Sequence, residues 1–401
     1  MGLIVQKFGG SSVKDAEHII NVADIVTKAY DNGNNIVVVV SAQGDTTDDL
    51  LAKAAEINTK ASKREMDMLL STGEQISASL LAMAIEKLGY PVKSLTGWQA
   101  GFVTDTTHSN SRIKRIEKER LLNEIDKKNI VIVTGFQGVN MYDDITTLGR
   151  GGSDTSAVAI AAVLHADICQ IYTDVDGVYT TDPRIVPNAR KLDEISFDEM
   201  LELSSQGAQI LHTRSVEMAK KYSVNLEVLS SITKKPGTKI KEETTVEKLL
   251  IKGIAKDENI ARLSIIGIDD TPGIAFKIFS QLAARKINVD IILQSVGRDN
   301  KRDISFTVDA SQKDDAMEVL ENMKGILNPI SMMADEEVAK VSIVGAGMIT
   351  NPGIAAGMFE ALADMGINIQ MISTSEIKIS VLIDKKDTKK AVTAIHDKFI
   401  V

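Results

Sequence analysis

Ile36-Val37-Val38-Val39-Val40 is an unbroken apolar run. A strand with no polar side chain to turn toward water must be covered on both faces, which is the situation of a parallel sheet lying between helices. Comparable runs flank it: Leu3 to Gln6 before, then Val92 to Leu95, Ile130 to Thr134, Ile168 to Thr173 and Leu226 to Leu229. Helical periodicity fills the intervals at Ala16 to Tyr30, Arg64 to Leu88, Asp154 to Leu164 and Phe197 to Tyr222. Strand and helix in alternation predict one α/β domain over residues 1–245, a mainly parallel sheet sandwiched by helices.

Beyond Thr233-Lys-Lys-Pro-Gly-Thr238 the texture changes and the chain repeats itself. Leu263-Ser-Ile-Ile-Gly267, Pro272-Gly-Ile-Ala275, Ile287-Asn288 and Ser295 recur as Val341-Ser-Ile-Val-Gly345, Pro352-Gly-Ile-Ala355, Ile367-Asn368 and Ser375, with Gly273 and Gly353 80 residues apart. Each copy reads strand, helix, strand, strand, helix, and resembles the ferredoxin-like βαββαβ ACT module, which binds amino acids. The first copy, 260–335, has a final strand at Ile330 to Met333, whereas the second, 336–401, ends after its last helix. An unpaired sheet edge is a liability. Leu249 to Ala255 is therefore predicted to complete the second copy, with the first copy inserted in sequence within it.

The chain has 401 residues, 44% of them hydrophobic, and a formal charge of −9 from 46 basic and 55 acidic residues. That balance argues against nucleic acid as a partner, and any anion site must be locally basic. The N-terminus MGLIVQKFGG lacks a basic segment followed by a long apolar one, and no apolar stretch is read as spanning a membrane, so a cytoplasmic protein is expected. Cys169 stands alone in an apolar run, which excludes an internal disulfide and favours a buried inert thiol. The histidines His18, His108, His165, His212 and His396 show no metal-ligand spacing and read as structural or solvent-facing.

Glycine-rich segments carry the chemistry. Val5-Gln-Lys-Phe-Gly-Gly-Ser-Ser12 follows a strand and precedes a helix, placing backbone N–H groups and a cation where a phosphate could sit. It lacks the Walker A spacing, and a Lys-x-Gly-Gly turn alone reads equally as a tight loop. Gly149-Arg-Gly-Gly-Ser-Asp154 opens a helix and reads either as an anion cradle or as a turn with an N-cap. Thr173-Asp-Val-Asp-Gly-Val-Tyr179 leaves a strand at the sheet edge where α/β proteins bind ligands, and lacks the further acidic positions of a calcium loop.

Lys7 to Ser12, Ser41-Ala-Gln-Gly-Asp-Thr-Thr47, Gly73-Glu74, Gly135-Phe-Gln-Gly138, Gly149 to Asp154 and Thr173 to Tyr179, standing in this order ahead of paired ACT modules, resemble the amino acid kinase family and, within it, its aspartate-phosphorylating branch. The resemblance implies ATP and L-aspartate as substrates, Mg²⁺ arriving with ATP, and a homo-oligomer formed through the ACT modules. It implies catalytic roles for Lys7 and Asp154, and contacts to aspartate from Ser41, Thr47, Glu74, Arg150, Gly151, Gly152 and Ser153. Lys7, Gly9, Gly10, Thr173, Asp174, Tyr179 and Arg184 would hold ATP. One departure stands out: position 209 is Gln where the family often has Lys. At module level the resemblance implies feedback by lysine, threonine or both. Effector candidates are Asp270, Gly273, Ile274, Ala275, Asn288, Asp290 and Gln294 in the first copy, and Asn351, Gly353, Asn368, Ser375 and Glu376 in the second, with Asp290 and Glu376 suited to a cation. For any one of these residues a fold-maintaining turn is an equal reading.

A side-chain carboxylate, ionising near ~3.9, is already a nucleophile at neutral pH, so its phosphorylation needs no general base. Repulsion between that anion and a triphosphate is the obstacle, and positioning with charge neutralisation is the remedy. This chemistry accounts for cations and glycine loops in place of a triad. Two competing readings are another amino acid kinase, acting on glutamate or acetylglutamate, and a non-catalytic amino-acid sensor that keeps the fold.

Overall fold

A computed structural model describes residues 2–400 except 209, 234, 243–249, 298–299 and 349–350. The chain packs as two units. One holds Met1–Tyr179, Lys191–Ser205 and Gln209–Val246, and the other holds Thr180–Arg190, Gln206–Ala208 and Glu247–Val401.

The first unit is built on an 8-stranded sheet. From edge to edge its strands are Glu194–Ser196, Thr238–Lys241, Leu226–Ser230, Ile168–Thr173, Leu3–Phe8, Asn35–Val40, Ile130–Thr134 and Val92–Leu95. Every pairing is parallel except that of Leu226–Ser230 with Thr238–Lys241. Ile36 through Val40 are fully buried. Ile36, Val38 and Val40 join Val22, Val26, Leu81 and Ile85 in one core layer, so this face rests on helices Ala16–Asp31 and Thr72–Lys87. Val37 and Val39 point the other way, as alternation along a strand requires. Each such side chain contributes roughly 1.5–3 kcal/mol on burial.

Three sequence expectations are corrected. The helix expected from Arg64 to Leu88 is two helices, Lys63–Leu70 and Thr72–Lys87. The stretch Lys63–Lys87 is also apolar and long enough by composition to cross a bilayer, although none was expected to be. Here its Leu81 and Ile85 are spent on the sheet. The helix expected from Phe197 to Tyr222 is divided into Phe197–Ser205 and Thr213–Lys221. Between them Gly207 takes φ 102°, a conformation that ends a helix, and Gln209 lies outside the described residues.

A separate 4-stranded sheet of Ile113–Ile116, Phe102–Thr104, Gln137–Val139 and Ile145–Thr147 was not anticipated, because its strands are short and carry weak alternation.

In the second unit the two repeats form two 4-stranded sheets of matching order. Ile260–Asp269 lies between Lys301–Asp309 and Ser331–Asp335, with Ile292–Gln294 outermost. Val338–Val344 likewise lies between Lys378–Asp384 and Gly253–Asp257, with Met371–Thr374 outermost. Gly253–Asp257 thus occupies in one sheet the place that Ser331–Asp335 holds in the other. Leu249, where that strand was expected to begin, lies outside the described residues. Thr180–Arg190 and Gln206–Ala208 pack with the repeats despite preceding residue 245. Ile254 N–H donates to the Thr180 carbonyl at 2.7 Å, Val186 enters the core beside Ile254 and Ile343, and Ser342 Oγ donates to Gln206 Oε1 at 3.0 Å.

Candidate active site

The central strands of the large sheet run in register, with Phe8 opposite Val40 and Tyr172, and Val40 opposite Thr134. Their carboxyl ends therefore release the segments beginning at Gly9, Ser41, Gly135 and Asp174 along one edge.

Lys7 is the last-but-one residue of its strand, and its Nζ lies 2.6 Å from Asp154 Oδ1, both side chains being largely shielded from solvent. Asp154 sits in the first turn of helix Gly152–Leu164, where the helix dipole favours an anion. Among the described residues the Lys7 ammonium is the one partner found for Asp154 Oδ1. A Cβ on Gly9 would stand 3.5 Å from Lys7 Nζ, and one on Gly10 would stand 2.7 Å from the Ala42 carbonyl. Glycine at position 10 lets the two loops touch.

The helix that carries Asp154 starts from Gly151, which has φ 66°. A Cβ there would overlap the His212 Cβ at 2.2 Å. His212, read from sequence as structural or solvent-facing, caps helix Thr213–Lys221 by accepting from Arg214 N–H at 3.3 Å, and so packs on the glycine cradle. Burial lowers its pKa, against a weaker upward pull from Asp154. Ser153 is buried against Gly135, Gly152 is enclosed by Phe136 and Leu148, and Arg150 is exposed with no ion pair among the described residues.

Glu74 opens helix Thr72–Lys87 and is 4% exposed. One carboxyl oxygen accepts from Ala42 N–H at 3.2 Å, and the other has no partner among the described residues. Desolvation pushes its pKa up to about 8. Ser41 follows Val40 and donates its N–H to the Phe8 carbonyl at 3.1 Å, while Thr47 lies in the first turn of helix Thr46–Ile57. Ala42 thus stands between Gly10, which faces its carbonyl, and Glu74, which accepts from its N–H, while Lys7 pairs with Asp154.

The segment expected to hold ATP is ordered internally. Thr173 Oγ1 donates to Asp174 at 2.8 Å, and the Tyr179 hydroxyl donates to Asp176 at 2.7 Å, which raises the phenol to about 12. Arg184 lies in Thr180–Arg190, part of the second unit, with its guanidinium on Asp182 at 2.8 Å. Cys169 is fully buried, and desolvation raises its thiol, consistent with an inert group.

In the repeats, Gly273 (φ 86°) and Gly353 (φ 95°) cap helices Ile274–Ala284 and Ile354–Asp364. Asp270 pairs with Arg302, which also faces Gln294, a cluster the sequence did not reveal. Asp290, expected to suit a cationic effector, is already matched by the Lys340 ammonium. Asn351 Nδ2 donates to the Gly347 carbonyl at 2.8 Å, and Ser375 N–H donates to Lys378 at 2.8 Å. Ile274 is buried and Ala275 partly so, whereas Asn288, Asn368 and Glu376 are exposed.

The sequence profile of the amino acid kinase family matches residues 2–230, and that of the ACT domain matches 263–323 and 341–399. Aspartokinase 2 of Bacillus subtilis (strain 168) is 52% identical over 400 residues, covering 100% of this chain and 98% of the relative. The chain belongs to the aspartokinases of the amino acid kinase family. An aspartokinase of Corynebacterium glutamicum is 51% identical over 405 residues, covering 100% of this chain and 96% of the relative. Among solved structures, E. coli aspartokinase III in complex with aspartate and ADP matches with a TM-score of 0.86 at 25% identity, covering 100% of both chains. The aspartate kinase of Clostridium acetobutylicum, described as an allosteric enzyme, matches at 0.79 and 25%, covering 99% of this chain and 100% of the other.

Proposed function

We propose that this aspartokinase transfers the γ-phosphoryl group of ATP to the side-chain carboxylate of L-aspartate, forming 4-phospho-L-aspartate, the first step toward lysine, threonine and methionine, in the cytoplasm. The observation that carries the reading is the Lys7–Asp154 pair at the mouth of the glycine cradle, where a cation and a helix N-terminus converge. Lys7 neutralises charge on the transferred group, with the Gly10 N–H alongside and Gly9 closing the loop through its own N–H, which donates to the Tyr172 carbonyl at 3.2 Å. Asp154 keeps the Lys7 ammonium oriented. Arg150, exposed and without an ion pair among the described residues, is the cation for the α-carboxylate of aspartate, and Glu74, with a buried oxygen that has no partner among the described residues, is the acceptor for its α-ammonium. Ser41, Thr47, Gly151, Gly152 and Ser153 complete the aspartate site, and Thr173, Asp174, Tyr179 and Arg184 serve ATP. Mg²⁺ would supply further neutralisation of phosphate charge, held largely by phosphate oxygens and water, since Asp154 Oδ1 already meets the Lys7 ammonium.

We divide the chain into a catalytic domain, 1–245, and ACT modules 260–335 and 336–401, the second completed by the strand near 249–255. Regulation by lysine or threonine would act at the modules, with Asp270 and Gln294 as the best-clustered contacts. Phe276, Ile292, Val296 and Ile330 are exposed on the first module, chemistry suited to a homo-oligomer interface. The test is an ADP-release assay over aspartate, glutamate and acetylglutamate. Turnover should be confined to aspartate, and Arg150→Ala should raise the aspartate KM while leaving the ATP KM near normal. A preference for another acceptor, or a rise confined to ATP, would overturn the assignment.

A further inference from the structure

Asp67, on helix Lys63–Leu70, is completely buried, yet it belongs to none of the glycine-rich motifs. Donors converge on both of its oxygens. Thr147 gives its backbone N–H to Oδ2 at 3.1 Å and its hydroxyl to Oδ1 at 2.6 Å. Ser109 gives its N–H at 3.1 and 3.0 Å, and His108 Nδ1 lies 2.9 Å from Oδ2. A buried acceptor met by so many donors has few alternative arrangements, so the segments it joins are held in one relation.

Those segments are the stretch around Ser109 and the end of strand Ile145–Thr147. Arg214 grips the same two stretches from its own helix, donating to the Leu148 carbonyl at 2.8 Å and the Ser111 carbonyl at 2.9 Å. Ser111 then bonds the Thr147 carbonyl through its N–H and its hydroxyl, each at 2.9 Å. Gly149 follows at φ 79°, with the Ser109 carbonyl 3.0 Å from where its Cβ would stand. The backbone is therefore fixed through Leu148, immediately before Gly149-Arg150-Gly151.

We infer that Asp67 is a positioning residue for the phosphoacceptor site: through Thr147 it sets where Arg150 presents its guanidinium, with Arg214 holding the intervening Leu148. This rests on the reading that Arg150 receives the aspartate α-carboxylate. Misplacement of such a group by about 1 Å can cost on the order of 10²-fold. The consequence is a selective effect on one substrate, which general loosening of the fold would not give.

The experiment is steady-state kinetics of the full chain carrying Asp67→Asn, Thr147→Val, Thr147→Ser or Arg150→Ala, with aspartate and ATP varied separately. Asp67→Asn and Thr147→Val should raise the aspartate KM about tenfold or more with the ATP KM within about twofold. Thr147→Ser, which keeps the hydroxyl, should recover most of that loss. Thr147→Val does not depend on removing a buried charge, so it decides the question if Asp67→Asn fails to fold. A normal aspartate KM in Thr147→Val beside a raised one in Arg150→Ala overturns the positioning role alone, as does an equal rise for both substrates. An unchanged aspartate KM in Arg150→Ala overturns the site reading and this inference with it.

Discussion

Glu74 is the residue proposed to receive the α-ammonium of aspartate. One oxygen of its buried carboxyl accepts from the Ala42 N–H and the other has no partner side chain among the described residues, so desolvation favours the protonated form. Its folded value of about 8 lies above the ordinary 4.5, so the folded state binds the proton more tightly than the unfolded chain. The stability this contributes is complete below 4.5 and is lost as pH rises through about 8. Glu74→Gln should remove that slope from denaturant unfolding measured between pH 5 and 8. It should also raise the aspartate KM strongly and abolish the improvement in aspartate binding expected as the wild type is taken from pH 7 to 8. A variant with unchanged aspartate KM and the same stability slope would contradict both roles. The motif Gly73-Glu74 was readable in sequence, but the missing partner was not, because it depends on which backbone amides the fold leaves within reach.

At the scale of elements, the helix Gly152–Leu164 begins with a glycine that cannot be replaced without cost. Gly151 combines φ 66° with a hypothetical Cβ only 2.2 Å from the Cβ of His212. Gly151→Ala should lower stability by at least about 1–2 kcal/mol from the left-handed conformation alone, with steric displacement of His212 added. Thermal unfolding checks this, and an unchanged midpoint would contradict it. Long apolar strands were legible because buried parallel strands are almost wholly apolar, whereas two of the four expected helices ran together pieces that the fold separates. The short strand Ile145–Thr147 was hidden, since a few residues with two threonines carry no period. Asp67 was hidden for a related reason: one acid within Met66-Asp67-Met68-Leu69 reads as an ordinary helix position until its donors, from far along the chain, are in place. His212 likewise became informative only when Gly151 was found against it.

Over the whole molecule, the internal repeat was the most readable feature, because two copies of one pattern constrain each other. The completing strand followed from counting strands rather than from any property of Gly253–Asp257 itself, and its pairing with Val338–Val344 matches that of Ser331–Asp335 with Ile260–Asp269. The grouping of Thr180–Arg190 and Gln206–Ala208 with the repeats was not legible, since such packing leaves no local period. Within that unit His396, almost fully buried, meets the Thr180 hydroxyl through Nε2 at 3.0 Å, so of the two readings the sequence offered, structural or solvent-facing, the structural one applies. The central claim is that phosphoryl transfer to aspartate depends on the Lys7 ammonium held by Asp154. Its most direct measurement is kcat for aspartate-dependent acyl-phosphate formation by Lys7→Met beside the wild type, with unfolding midpoints recorded on the same samples. The account predicts a fall in kcat of about 10²-fold or more with the fold retained, and near-normal turnover in a folded Lys7→Met protein would contradict it.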